Sequence, residues 1–281
     1  MRTLVISGGS SGIGKATASL FAERGWRVFE LSRREPNPDN VLRTATGSPL
    51  EQSSSPVKGR EITHVTCDVT SEESCRKAVA EVLKATERID IFISNAGFGI
   101  SGPVEFTDIA EAQRQMDVNF MGAVRLTQAI LPQLRKQRSG RIIYTSSVAA
   151  ILAVPYQSFY SASKAAINAM ALALANEVKA FGISVSVMMP GDVSTGFTDA
   201  RAKSTAGEDV YAGARKAITT MERDERAGMS PRQMAKLFYH IATCLSPRPQ
   251  YIGGFSYRVL CFLERLLPKR FVNWIEYEVY S

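Results

Sequence analysis

The chain opens with a strand-like run at residues 2–7, a glycine-rich turn at residues 7–14 (SGGSSGIG) and a helical pattern at residues 16–24. This order constrains the fold strongly, because a tight turn with few side chains lets a phosphate approach the backbone N–H groups at a helix N-terminus. Glycine also tolerates the positive φ angles that such a turn requires. The segment therefore predicts a βα unit that binds a nucleotide.

Strand-like and helix-like segments alternate through most of the remaining chain. Further strands are predicted at residues 26–31, 62–66, 89–94, 141–146 and 183–189, and long helices at residues 72–86, 109–137 and 158–181. Such alternation is typical of βαβ units around a parallel sheet. We therefore predict an α/β fold, a Rossmann-type doubly wound parallel sheet, in a single domain at residues 1–254.

Two stretches inside this domain depart from the pattern. Residues 35–60 contain four prolines and a serine run, a composition that argues against a regular helix and predicts a surface excursion. Residues 193–230 are long and polar, with scattered larger apolar side chains. We predict that they form a substrate loop that folds over a hydrophobic ligand.

Residues 255–281 mix apolar and basic side chains and predict a C-terminal extension of one or two amphipathic helices, broken near Pro268. Three interpretations stay open: a helix packed on its own domain, a subunit contact, or a helix at a membrane interface. The first is favoured because packing is the common fate of an amphipathic helix. Peripheral membrane contact stays the less favoured alternative, in which the basic residues would attract anionic headgroups.

Composition argues against several other classes of protein. The net charge of +7 accompanies no motif in which basic and aromatic residues interleave, so nucleic acid is not an expected partner. The four cysteines form no C-x-x-C pair and the two histidines, His64 and His240, lie far apart, so no metal site is predicted. Neither a signal peptide nor a spanning segment is indicated, and we expect a cytoplasmic protein.

A tyrosine and a lysine provide the candidate chemistry. Tyr160 and Lys164 are spaced i, i+4 on a predicted helix, which puts them on one face, and a nearby ammonium is expected to lower the pKa of the phenol. Ser147 lies thirteen residues before Tyr160 at the end of a predicted strand, where ligands of open parallel sheets collect. Its neighbour Ser146 is a rival, but strand alternation aims adjacent side chains in opposite directions.

These motifs resemble the short-chain dehydrogenase/reductase family over roughly residues 3–196. The family's glycine motif, T-G-x-x-x-G-x-G, is matched with Ser7 in place of threonine, and its N-A-G element is matched by residues 95–97. The catalytic residues that the resemblance implies are Asn119, Ser147, Tyr160 and Lys164. The resemblance also implies homodimers or homotetramers, the dimer built mainly from the two long helices that carry Asn119 and Tyr160.

The cofactor contacts that the turn, the second strand and the resemblance indicate are distributed along the whole domain. They comprise Gly8, Ser10, Ser11, Gly12, Ile13, Gly14, Ser32, Arg33, Arg34, Asp68, Val69, Asn95, Ala96, Gly97, Tyr160, Lys164, Pro190, Gly191, Val193 and Thr195.

The end of the second strand decides between NAD and NADP, because a carboxylate there accepts hydrogen bonds from a ribose 2′-hydroxyl but repels a 2′-phosphate. That position, 24 residues after Gly8, holds Ser32. Arg33 and Arg34 follow, and their guanidinium groups suit a phosphate, so we predict NADP(H). Glu30 is the counter-argument, since strand alternation turns it to the same side as Ser32.

We therefore predict an NADP(H)-dependent oxidoreductase that interconverts a ketone or aldehyde and an alcohol, with Tyr160 as general acid and base. The expected partner is a small hydrophobic carbonyl or alcohol substrate, and the resemblance implies a steroid, a retinoid or a long-chain carbonyl compound. The alternative is a catalytically idle module of the same fold that senses a nucleotide or binds a partner protein.

Overall fold

The computed structural model describes residues 1–33 and 62–280. The predicted surface excursion at residues 35–60 and the predicted cofactor contact Arg34 lie outside the described residues. The predicted strands and helices elsewhere in the chain can be compared with the structure directly.

A seven-stranded parallel sheet forms the centre of the molecule, with strand order β3-β2-β1-β4-β6-β7-β9. Its strands are β1 Thr3–Ser7, β2 Arg27–Ser32, β3 Ile62–Thr66, β4 Ile91–Ser94, β6 Gly140–Thr145, β7 Ile183–Pro190 and β9 Gln250–Gly253. Two further short strands, β5 Ile100–Ser101 and β8 Ala202–Lys203, pair with each other in parallel. The strand order reverses between β1 and β4, and in such sheets the ligand crevice opens at the carboxyl ends of those two strands.

Ten helices of the described residues surround the sheet and its carboxyl edge. They are α1 Gly12–Glu23, α2 Glu72–Ala85, α3 Ile109–Met116, α4 Gly122–Lys136, α5 Ser158–Glu177, α6 Phe197–Ala200, α7 Ala214–Arg226, α8 Pro231–Thr243, α9 Phe255–Leu266 and α10 Lys269–Tyr280.

Alternate residues of the central strand point to two separate cores. Val5 packs in the cluster that includes side chains of α2, α4 and α5, whereas Leu4 and Ile6 pack in the cluster that includes side chains of α1 and α8. A strand that is apolar on both faces needs helices on both sides of its sheet. The predicted doubly wound α/β fold is therefore confirmed.

The structure differs from the predicted elements in several places, and among the unpredicted elements α6, β8 and α7 lie within the predicted substrate loop at residues 193–230. The long helix predicted at residues 109–137 is interrupted by one wider, π-helical turn, Asp117–Met121, whose backbone hydrogen bonds join residues i and i+5. Helix α8 and strand β9 were not predicted. The start of α8 carried a local indication, a capping box between Ser230 and Gln233 with Pro231 in the first helical position.

Helices α9 and α10 form the C-terminal end of the described chain, separated at residues 267–268. Few of their side chains are buried, namely Cys261 and Glu264 of α9 and Val272 of α10. No helix among the described residues is long and apolar enough to cross a membrane.

Candidate active site

The glycine turn leaves the start of α1 open to a ligand. Gly8 and Gly12 have φ angles of +66° and +52°, which side chains rarely adopt. Ser11 precedes the helix, and its hydroxyl does not cap the N–H groups of the first turn. Since Ser10 and Ser11 are exposed, the uncapped N–H groups are available to a phosphate.

The loop after β4 is hydrogen-bonded to the glycine turn. The Ser7 hydroxyl accepts hydrogen bonds from the backbone N–H groups of Asn95 and Ala96, at 3.0 and 3.2 Å, and the Asn95 amide donates to the Gly8 carbonyl at 3.1 Å. A Cβ at Gly14 would lie 2.1 Å from that carbonyl oxygen. The glycine motif and the N-A-G element therefore form one packed unit.

The end of β2 holds an unpredicted hydrogen bond between side chains. Glu30 is only 5% exposed, and its Oε2 lies 2.7 Å from Nδ1 of His64 on β3. The Ser32 hydroxyl donates to the same oxygen at 3.3 Å, so Glu30 and Ser32 share one side of the strand, as alternation predicts. The carboxylate that argued for NAD is thus occupied at one oxygen by His64 and Ser32.

Asp68 and Arg33 lie near each other at this end of the crevice. The backbone N–H of Thr70 donates to the Asp68 carboxylate and, with the Thr70 hydroxyl and the nearby Arg33 guanidinium, holds the pKa of Asp68 below its usual value. Arg33 is exposed. The next residue, Val69, is buried against Gly122.

Ser147 and Tyr160 lie close together at the carboxyl edge of the sheet, where the Ser147 side chain acts to lower the pKa of Tyr160. The Ser147 hydroxyl also accepts from the Ala149 N–H at 3.1 Å. The rival Ser146 points away and donates to the backbone carbonyl of Lys164 at 3.0 Å. Only Ser147 of the two serines is therefore directed at Tyr160.

Burial raises the pKa of Tyr160 to about 12, although the Ser147 hydrogen bond and the Arg201 charge act in the opposite direction. The expectation that Lys164 lowers this pKa is wrong for the chain by itself. The physical reason is desolvation, which disfavours the phenolate more than the nearby hydrogen bond favours it.

Lys164 is 4% exposed, and its ammonium donates to the Thr145 carbonyl at 3.0 Å. The Lys164 Nζ atom lies 5.6 Å from the centroid of the Tyr160 ring. Burial lowers the pKa of this lysine to about 8. The two side chains thus share one face of α5, and Lys164 can change its protonation state close to neutral pH.

Asn119, in the wider turn between α3 and α4, ties three parts of the site together. Its amide donates to the Phe98 carbonyl at 3.0 Å and to the Ser163 hydroxyl at 3.1 Å, and its oxygen accepts from the Phe98 N–H at 3.0 Å. Ser163 in turn donates to the Tyr160 carbonyl at 2.7 Å. A Cβ at Gly97 would lie within 3.5 Å of both Asn119 and Lys164.

The segment after β7 returns to the glycine turn. Val193 bridges to Met229, and a Cβ at Gly12 would lie 3.5 Å from Cβ of Thr195. Strand β7 ends at Pro190, and the ring of Tyr257 lies directly over the next residue, Gly191. The predicted contacts of this segment therefore border the same crevice as the glycine turn.

An aromatic and ionic cluster lies against Tyr160, and its ionic part, Arg201 with Glu225, was not predicted from the sequence. The Phe197 ring lies 5.8 Å from the Tyr160 ring, and the buried Arg201 guanidinium lies 5.6 Å from the Phe197 ring centroid. Arg201 is paired with Glu225 of α7, which also accepts from the Thr198 hydroxyl at 2.6 Å. No local sequence pattern predicts this cluster as a whole, because Tyr160, Arg201 and Glu225 belong to separate parts of the chain.

The chain is similar to known proteins over the part that contains these residues. The sequence model of the short chain dehydrogenase family matches residues 2–206. A 3-ketodihydrosphingosine reductase of Bacteroides thetaiotaomicron is 36% identical over 247 residues, which are 87% of this chain and 84% of that protein. Retinol dehydrogenase 8 of Bos taurus is 36% identical over 200 residues, 70% of this chain and 60% of that protein. A short-chain dehydrogenase from Streptomyces avermitilis superposes with a TM-score of 0.80 at 27% identity, covering 94% of this chain and 92% of its own.

Proposed function

Because the chain belongs to the short chain dehydrogenase family, we propose that it is an NADP(H)-dependent oxidoreductase that interconverts a hydrophobic ketone or aldehyde and the corresponding alcohol. The family binds a nicotinamide nucleotide, which supplies or accepts the hydride when bound. The observation that carries the proposal is that Ser147 and Tyr160 lie together beside the buried Lys164, whose Nζ atom is 5.6 Å from the centroid of the Tyr160 ring.

Tyr160 moves the proton in this mechanism. In reduction its hydroxyl protonates the oxygen of the substrate carbonyl, and in oxidation the phenolate removes the proton of the alcohol. Ser147 holds the substrate oxygen beside that hydroxyl. A neutral phenol is the form needed for reduction, and the raised pKa of Tyr160, about 12, keeps it protonated at neutral pH.

Lys164 and Asn119 act around the tyrosine. Lys164 places an ammonium group next to the phenol, and its pKa of about 8 lets it release or accept a proton close to neutral pH. Asn119 positions the helix that carries Tyr160, because it bonds Ser163 and the backbone of Phe98 at the same time.

The glycine turn fits a dinucleotide. The uncapped start of α1 and the absence of side chains at Gly8, Gly12 and Gly14 suit a pyrophosphate against backbone N–H groups. Ser10, Ser11 and Ile13 flank that position. Asp68, Val69 and residues 95–97 suit the adenosine end, and residues 190–195 suit the nicotinamide end.

The choice of NADP(H) rests on Ser32, Arg33 and Glu30. Ser32 offers no carboxylate, Arg33 is exposed beside Asp68, and Oε2 of Glu30 is occupied by His64 and Ser32. We expect the double change Ser32→Asp, Arg33→Ala to weaken NADPH at least about tenfold relative to NADH, since a 2′-phosphate loses one partner and gains a repulsive neighbour. Titration of cofactor fluorescence measures both affinities, and an unchanged ratio would place the phosphate elsewhere.

The substrate is proposed to be apolar and long. Phe197 on the Tyr160 ring supports an apolar pocket, and relatives are named for a ketodihydrosphingosine and for retinol. Residues 193–230 are proposed to cover this pocket, and the pairing of β8 with β5 and the hydrogen bond from the Tyr211 hydroxyl to Glu105 support that position.

We further propose a cytoplasmic homodimer formed by α4 and α5. Met121 and Leu172 are exposed on or next to these helices, which supports a contact there. Light scattering on the purified protein measures the assembly state.

The decisive experiment removes one hydroxyl group. Tyr160→Phe is expected to lower kcat by at least about a hundredfold while leaving NADPH affinity nearly unchanged, because a positioned acid or base contributes 10²–10⁴-fold. Tyr239→Phe is the control, since Tyr239 packs against Phe21 on α1, away from Tyr160. Turnover is followed as oxidation of NADPH with a panel of long-chain ketones, and retention of about a tenth of kcat in Tyr160→Phe would contradict the role.

A further inference from the structure

Helix α9 carries its large apolar side chains on the side that faces solvent. Phe255, Val259, Phe262 and Leu266 follow the spacing i, i+4, i+7 and i+11 of one helical face, and all four are exposed, Phe255 by 75%. The buried positions on α9 are instead Cys261 and the charged Glu264. This is the reverse of an ordinary surface helix, in which the apolar stripe faces the core.

Helix α10 repeats the arrangement. Phe271, Trp274 and Ile275 are spaced i, i+3 and i+4 and are exposed, Trp274 by 55%, whereas Val272 is buried. The Phe271 and Trp274 rings stack at 5.6 Å. The seven exposed side chains, Phe255, Val259, Phe262, Leu266, Phe271, Trp274 and Ile275, are called the outward face below.

Arginines flank the outward face. Arg258, Arg265 and Arg270 are exposed, and the guanidinium of Arg258 lies 5.6 Å from the centroid of the Phe255 ring. Aromatic and aliphatic side chains on one face with arginines beside it are the composition of helices that lie in a membrane interface.

We propose that the outward face binds the surface of an anionic phospholipid membrane, with its apolar side chains at the headgroup boundary and the arginines against lipid phosphates. A second copy of this chain is a poorer occupant. Two identical faces that meet around a twofold axis bring their own arginines together, whereas anionic lipid supplies the opposite charge. The chain's net charge of +7 acts in the same direction.

The helices that carry the outward face contact elements next to the candidate active site. The Tyr257 hydroxyl of α9 donates to Asp192, directly after β7, and α10 packs against α7. Asp192 directly precedes residues 193–230 and α7 lies within them, so membrane binding brings that segment close to the lipid. The proposal does not depend on the proposed activity, because it rests on α9 and α10 alone.

The test uses the full chain and two kinds of vesicle, pure phosphatidylcholine and phosphatidylcholine with roughly 30 mol % phosphatidylglycerol. We expect co-sedimentation with the anionic vesicles, weakened by salt, and a blue shift of tryptophan emission. The shift reports the outward face, because the chain has two tryptophans and Trp26 is buried. Absence of binding to the anionic vesicles would overturn the proposal.

Two variants and a control locate the contact. Phe262→Ser, Leu266→Ser is expected to lower anionic-vesicle binding at least about a hundredfold, since two large apolar groups no longer enter the lipid. Arg265→Glu, Arg270→Glu is expected to lower it at least about tenfold and to remove most of the salt dependence. The matched control Val210→Ser, Leu245→Ser alters exposed apolar residues outside α9 and α10 and should bind as the wild type does.

Three results would overturn the proposal. Equal binding of all three variants would mean that another surface contacts lipid, and equal binding to both kinds of vesicle at all salt concentrations would exclude the arginine contact. Light scattering without vesicles provides the third: dissociation of an oligomer by Phe262→Ser, Leu266→Ser would identify the outward face as a subunit contact. If that variant fails to fold, as judged by circular dichroism, the arginine variant decides.

Discussion

Lys164 is expected to destabilise the folded protein at neutral pH, so its replacement by methionine should stabilise it. The lysine is 4% exposed, and burial lowers its pKa from 10.5 to about 8. At about 1.4 kcal/mol per pH unit, holding the ammonium charged in the folded state at pH 7 costs about 3 kcal/mol. Methionine has a similar length and no charge, but it gives up the hydrogen bond to the Thr145 carbonyl, about 1 kcal/mol.

The expected net effect of Lys164→Met is therefore a gain of about 2 kcal/mol in the free energy of unfolding at pH 7, and a Tm higher by about 4–8 °C. The gain should depend on pH. Below about pH 8 both the folded and the unfolded wild type are protonated at this site, and the full penalty is present. Between pH 8 and 10.5 the unfolded chain binds more protons there than the folded chain, so wild-type stability rises and the advantage of the variant disappears.

Urea unfolding of both proteins at pH values from about 6 to 10 measures this difference, in which contributions of the other titrating groups cancel. Lys77→Met, at an exposed position of α2, is the matched control and should change stability by less than about 0.5 kcal/mol. The reasoning is refuted if Lys164→Met is less stable than the wild type at pH 7, or if its advantage stays constant from pH 7 to 10. Loss of activity in Lys164→Met with increased stability would fit a site that trades stability for function.

Two further predictions concern stability and the cofactor turn. Glu225→Gln leaves the buried Arg201 charge unpaired and should lower the free energy of unfolding by about 3 kcal/mol. The control Asp199→Asn removes an exposed ion pair with Arg226 and should lower it by less than about 1 kcal/mol. Equal effects of the two variants in urea unfolding would contradict the argument. Gly14→Ala should abolish NADPH binding or folding, because its Cβ would lie 2.1 Å from a backbone oxygen, while Gly196→Ala, with open space around it, should leave fluorescence titrations unchanged.

The sequence predicts most of the sheet because its strands are apolar on both faces. Six of the seven parallel strands were predicted, with ends that differ by at most two residues. Strand β9 was missed because Gln250–Gly253 is short and only its last residue is buried. Its pairing with β7 depends on a contact across more than 60 residues, which no local pattern encodes.

The candidate site likewise contains residues that local sequence spacing predicts and residues that only folding brings together. The spacing of Ser147, Tyr160 and Lys164 on one strand end and one helix can be read directly from the sequence. Arg201 and Glu225 become partners only through folding of the covering segment, and Glu30 meets His64 only across two strands. The direction of the Tyr160 pKa shift was wrong for the related reason that sequence spacing identifies neighbours but not the extent of desolvation.

The double attachment of residues 95–98 has a mechanical consequence. The Ser7 hydroxyl fixes the N–H groups of Asn95 and Ala96 at one end, and the Asn119 side chain fixes both backbone polar groups of Phe98 at the other. A short peptide anchored at both ends cannot yield at one end without pulling on the other. A shift of the glycine turn therefore displaces Asn119 as well. The backbone amide protons of residues 95–98 should consequently exchange with solvent as one cooperative group.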